Sequence, residues 1–206
     1  MRANGHKRVR TTVVLAMIAC GVPGAVVLDR IVAIAGDNIV KASDVDRELR
    51  TTAFLNNEPL VVNAETRRKA TDRLIDQQII RSELKAGDYK KPLPEEVDAF
   101  IRGVIKQRYA SDQQYSDGLR SYGLTDPTLR HHLAWQLTVI RFINARFRPS
   151  ILVTDDDVQR YVEQHRGEGS GKAREAVEGE RINQQFFAWL DEQRKQLHIE
   201  YRGDES

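Results

Sequence analysis

Leu197-His198-Ile199-Glu200-Tyr201 alternates apolar and polar side chains with the period of two that marks a half-buried strand. A strand needs a hydrogen-bonding partner, and the residues just before this one offer none. Residues 175–196 carry Ile182, Phe186, Trp189 and Leu190 and read as a helix. The remaining strand formers lie at the other end of the chain. Leu28-Asp29-Arg30-Ile31-Val32-Ala33-Ile34-Ala35 is rich in β-branched residues, and Gly36-Asp37-Asn38 supplies turn residues ahead of Ile39-Val40-Lys41. A short hairpin there and a strand at 197–201 predict that the two chain ends pair into one small sheet. The expected fold class is mainly α with a small β-sheet.

Between the strands the helical signals follow one another with their caps. Ser43, with Asp46 three residues on, predicts a helix over 44–55. Thr71, Ile75, Ile79, Ser82 and Ala86 recur at spacings of three and four within 64–86, and Gly87 follows as a C-cap. Pro92 and Pro94 open a helix in which Val97, Ile101, Val104 and Arg108 share a stripe that Phe100 and Ile105 widen. A shorter helix is predicted over 111–122, ended by Gly123. Thr125 or Asp126 caps the most apolar helix, whose two stripes, one through Leu129, Leu133, Leu137, Ile140, Ile143 and Phe147 and one through Trp135, Val139 and Phe142, predict burial around much of its circumference. Pro149 ends it. Thr154 with Asp155, Asp156 and Asp157 begins another helix, where negative charge suits the helix dipole.

The formal charge of +2 is an effect of the first residues. Arg2, Lys7, Arg8 and Arg10 precede any acid, and with those four set aside 28 bases face 30 acids, a net of −2. A nucleic-acid footprint is therefore not expected. The basic start, the uncharged run 13–20 and the small or helix-breaking Gly21, Pro23, Gly24 and Ala25 have the layout of a secretory signal, so residues 1–25 are read as a leader and the expected location is periplasmic. The apolar run is shorter than the ~20 residues that cross a bilayer as a helix. A retained anchor and lipidation at Cys20, the sole cysteine, are the alternatives.

No segment carries a convincing catalytic or ligand-binding motif. Gly167-Glu168-Gly169-Ser170-Gly171-Lys172 resembles a phosphate loop at a glance, but Arg166 stands where the first glycine belongs and Ala173 where the magnesium-holding hydroxyl belongs. Residues 166–174 instead read as a linker or exposed loop. Adjacent His131 and His132 diverge by about 100° on a helix and cannot close on one metal unaided. The run 155–157 lacks the alternation of a calcium loop. No catalytic residue, metal or cofactor is expected. The ambiguous residues are aromatic: Phe54, Phe100, Tyr109, Tyr115 and Tyr122 are either core packing or the lining of a partly exposed polypeptide-binding groove.

Taken in order, several segments resemble the SurA family of periplasmic chaperones. Val27-Leu28-Asp29-Arg30-Ile31-Val32-Ala33, then Gly36-Asp37-Asn38-Ile39-Val40 and Ser43-Asp44-Val45-Asp46, looks like that family's opening hairpin and first helix. Leu74-Ile75-Asp76-Gln77-Gln78-Ile79-Ile80 is similar to its second-helix signature. Arg148-Pro149, with Ile151 and the run Val153-Thr154-Asp155-Asp156-Asp157-Val158-Gln159-Arg160-Tyr161, resembles the junction into its first isomerase domain. Trp189-Leu190 with Ile199-Glu200-Tyr201 resembles the returning C-terminal helix and strand. The resemblance implies a chaperone region over 26–165, completed by a helix and strand over 175–206. Only the linker 166–174 stands where the family carries prolyl isomerase domains of on the order of 100 residues, so no isomerase is expected. The implied function is ATP-independent binding of unfolded or extended outer-membrane and other envelope polypeptides, with transient contact to membrane-assembly machinery and no nucleotide or nucleic acid. A non-enzymatic adaptor docking on one dedicated partner is the alternative.

Overall fold

The computed structural model describes residues 29–87, 89–165 and 169–203. The leader expected over 1–25, with Cys20, lies outside them, as do residues 166–168 of the expected linker. The protein is mainly helical with one three-stranded antiparallel sheet. Strand β1 (Ile31–Ala35) is central, β2 (Asn38–Lys41) lies on one side and β3 (Ile199–Tyr201) on the other, so the chain ends pair. The register places Ala35 opposite both Asn38 and Ile199. Gly36 makes this closure feasible. It sits at φ +56°, and a Cβ there would lie 2.8 Å from Leu197 Cδ1, while its N–H donates to the His198 carbonyl at 3.0 Å.

Helix α1 (Ala42–Asn56) follows β2 without a loop, so it begins ahead of the expected Ser43 cap. Ser43 lies inside the first turn, where its backbone and hydroxyl both donate to Asp29. Helix α2 (Ala64–Ala86) has the expected bounds, set by a capping box between Asn63 and Thr66. Helix α3 (Pro94–Phe100) runs into a π-helical turn, Ile101–Ile105, and then a tight turn, Lys106–Arg108. The wide turn corrects the expected stripe. Its extra residue brings Ile105, not Val104, under Val97 and Ile101, and leaves Phe100 and Val104 on the surface.

Helices α4 (Asp112–Ser121) and α5 (Asp126–Phe147) are capped by Ser111 and Thr125, with Gly123 at φ +66° between them. Helix α6 (Asp155–Gln164) starts from a capping box of Thr154 and Asp157. Helix α7 (Ser170–Gln196) begins five residues before the expected start at Glu175, so most of the expected linker is helix. Its first turns are held to the start of α6 by buried Ala173 and Val177 and by Arg174, which donates to the Val153 carbonyl at 2.8 Å and pairs with Asp155.

Among the described residues two apolar clusters form the interior. The first packs Ala33, Ala35 and Val40 of the sheet against Ile75 and Ile79 of α2, Phe142 and Phe147 of α5, and Phe186 and Leu190 of α7. The second joins Phe54 of α1, Val97, Ile101 and Ile105, Tyr115 and Leu119 of α4, and Leu129 and Leu133 of α5. Helix α5 thus serves one core with its first half and the other with its second. It is less enclosed than its two stripes predict: Ile140 is 54% exposed, and Trp135, Leu137 and Val139 are half-buried.

Candidate functional site

Among the described residues a concavity follows α1. Its larger part, about 680 Å³, lies between the end of β2, α1, α2 and the start of α5. A second part, about 390 Å³, lies between α1, α2, α5 and the wide turn after α3. Glu48 and His132 line both, so the two parts meet at a waist. The α1 contribution is one helix face read from end to end: Asp44 and Thr51 in the larger part, Glu48 at the waist, and Thr52 and Leu55 in the smaller part. Asp44 to Leu55 spans roughly 16 Å at 1.5 Å per residue, the length of about five residues of extended chain. Exposed apolar side chains mark both ends, Ile39 at 42% beside the larger part and Phe100 at 37% and Val104 at 45% beside the smaller.

The waist is polar and ordered by its own contacts. Glu48 is only 7% exposed and accepts from Arg73 Nε at 3.0 Å and from Gln77 Nε2 at 3.4 Å. Arg73 and Gln77 stand one turn apart on α2 and so reach the same carboxylate. His132 Nδ1 lies 3.9 Å from Glu48 Oε2, and its Nε2 is 2.9 Å from Gln136. Burial pulls His132 below the usual histidine value, and the Glu48 charge opposes that shift. The hydroxyls of Thr51 and Thr128 in the larger part are occupied, Thr51 donating to the Arg47 carbonyl at 2.8 Å and Thr128 facing Thr125 at 2.9 Å. Among the described residues no three His, Cys, Asp or Glu side chains converge as a metal-holding group.

The five aromatic candidates separate. Phe54 and Tyr115 are 2% and 4% exposed and cannot line an open groove. Tyr109 stacks on Phe54 with ring centroids 6.4 Å apart and meets Tyr115 edge-on at 5.8 Å, while Tyr122 meets Phe54 edge-on at 5.7 Å. Phe54 and Tyr115 belong to the second core and the half-buried Tyr109 and Tyr122 pack against it, where apolar ring area is removed from water. Only Phe100 lines the groove. The residues missed from sequence are the polar ones, Glu48, Arg73, Arg81 and His132, with Trp135. Of these only Glu48 had a sequence signal, the spacing 44, 48, 51/52, 55 that sets the groove residues of α1 on one helix face.

Fold and groove together define a mainly helical protein with a sheet closing its two ends and an open channel along its first helix. A comparison with protein-family models and with curated proteins finds no match.

Proposed function

We propose that the protein is an ATP-independent chaperone of the bacterial envelope that holds unfolded or extended polypeptide segments, outer-membrane proteins among them, along the α1 groove. The observation that carries this reading is the groove itself: it is open along its length, has apolar ends and a hydrogen-bonding waist, and is long enough for about five extended residues. Apolar ends shield client side chains, and polar walls satisfy the client backbone, which in an extended segment has no internal partners. Occupied hydroxyls and an engaged carboxylate favour binding over bond-making chemistry. The resemblance to SurA-type chaperones, including the pairing expected of the chain ends, points the same way. No isomerase domain belongs to this reading, and export to the periplasm follows from the leader-like sequence of residues 1–25.

The test is light scattering during dilution of several unrelated denatured outer-membrane proteins into buffer with the protein. Suppressed aggregation of all of them, weakened when Phe100 and Val104 are both changed to Asp, supports the reading. No suppression of any client, with one stable partner recovered by affinity capture, replaces it with the dedicated adaptor.

A further inference from the structure

The charges along the larger part of the groove do not cancel. Asp44 pairs with Arg47 at 2.8 Å, and Glu48 accepts from Arg73 at 3.0 Å. Arg81, on α2 one turn beyond Gln77, lines the same wall, and among the described residues it has neither a carboxylate nor a hydrogen-bond partner. Its guanidinium lies over the Trp135 ring with 3.9 Å from Cζ to the ring centroid. A place over a ring stabilises the cation and holds it against the wall, but it does not satisfy the N–H donors. Burial disfavours its charged form, as expected for a cation with no counter-charge. Most other arginines facing a neighbouring helix in this protein have an acid: Arg130 has Asp98 and Asp126, Arg141 has Glu96, and Arg194 has Asp72 and Asp76. A half-buried and uncompensated guanidinium on the wall of an open channel is complementary to a carboxylate supplied by the guest, which can meet its fork of donors with two parallel hydrogen bonds.

We propose that Arg81, held over the Trp135 ring, is a carboxylate-reading subsite of the groove, so that the bound segment presents an acidic group there, either an Asp or Glu side chain or its own C-terminal carboxylate. The inference rests on the reading of the groove as a polypeptide site and adds to it a polar selectivity that apolar shielding lacks. Asp44 and Glu48, lying on the facing wall, favour a single carboxylate over an acidic cluster.

The test uses short fluorescein-labelled peptides of one aromatic-containing sequence, with binding read by fluorescence anisotropy. The parent carries one internal Glu and a free C-terminus; three partners have Glu replaced by Gln, the C-terminus amidated, or both. The expected result is affinity about tenfold weaker when the recognised carboxylate is neutralised, with whichever single change causes the loss identifying its source. Arg81→Gln removes the discrimination by weakening binding of the parent peptide to the level of the neutral ones, and Arg81→Lys, which keeps the charge without the planar face, restores part of it. Far-UV circular dichroism and an unchanged thermal midpoint establish that both variants are folded; if either is not, the four peptides on the unaltered protein decide alone. Equal binding of all four peptides by that protein overturns the carboxylate subsite while leaving the polypeptide groove standing. Discrimination undiminished in folded Arg81→Gln overturns the assignment to Arg81. Failure to bind any of the four overturns both readings.

Discussion

Glu48 shows how a single buried charge is kept at little cost: Arg73 supplies the opposite charge from a position 42% exposed, so water still screens the cation. Glu48→Gln is expected to lower stability by about 1–2 kcal/mol in urea unfolding, less than the loss of a fully buried pair, because Arg73 can turn to solvent. The same change removes the charge that holds His132 up, so NMR titration should find the His132 pKa lower still. The sign for the unaltered protein follows. With the folded His132 below the ordinary value of 6.5, unfolding takes up a proton between the two, and stability falls as pH drops from about 6.5 toward the folded value. His132→Gln should flatten that slope. Asp157 works in the opposite sense. Hydrogen bonds from the Thr154 backbone and hydroxyl, with Arg181 beside it, hold its carboxyl down at about 2. Its contribution is present above the ordinary aspartate range of about 4 and disappears as pH falls through about 2. The gap in thermal midpoint between the protein and Asp157→Asn should therefore close across that window.

The elements were legible wherever a cap and a period agreed. The cap residues of α5 and α6 and the glycine after α4 are those the sequence nominates, because a hydroxyl satisfying an open N–H is a local affair, whereas Asn63 and Ser111 were not named as caps and Ser43 lies inside α1. Two elements escaped local reasoning. Helix α7 starts at Ser170 because Ala173 and Val177 find α6, and an alanine among glycines shows no apolar period. The wide turn over Ile101–Ile105 is equally silent in sequence, since which of Val104 and Ile105 turns inward depends on the second core beneath them. At this scale Gly36 is the sensitive point of the sheet. Gly36→Ala combines a positive φ with the 2.8 Å approach to Leu197, and an expected loss of about 1–2 kcal/mol in denaturant midpoint should be accompanied by faster amide exchange in β3.

At the scale of the whole molecule, two devices join distant sequence. Tyr201 donates to Asp72 of α2 and lies under Arg68, with the Arg68 Cζ 3.3 Å from its ring centroid, while Arg194 of α7 binds Asp72 at 3.1 Å and also pairs with Asp76. Helix α5 carries Phe142 in one core and Leu133 in the other, so loosening either is felt in both. Phe142→Ala, at a site with no exposure, should cost about 3–5 kcal/mol, and unfolding followed by tryptophan fluorescence and by near-ultraviolet tyrosine signals should remain one coincident transition. Separate transitions would show the two cores to be independent. The sequence by itself determined the class of fold, the order of its helices and the pairing of its ends, because alternation, capping and helical period are properties of neighbouring residues. Tertiary structure alone decided the groove. It turned four of the five aromatic candidates inward and left the polar face of α1 opposite Arg73, Arg81 and His132, since an aromatic ring and a charge acquire their roles only from what the rest of the chain places against them.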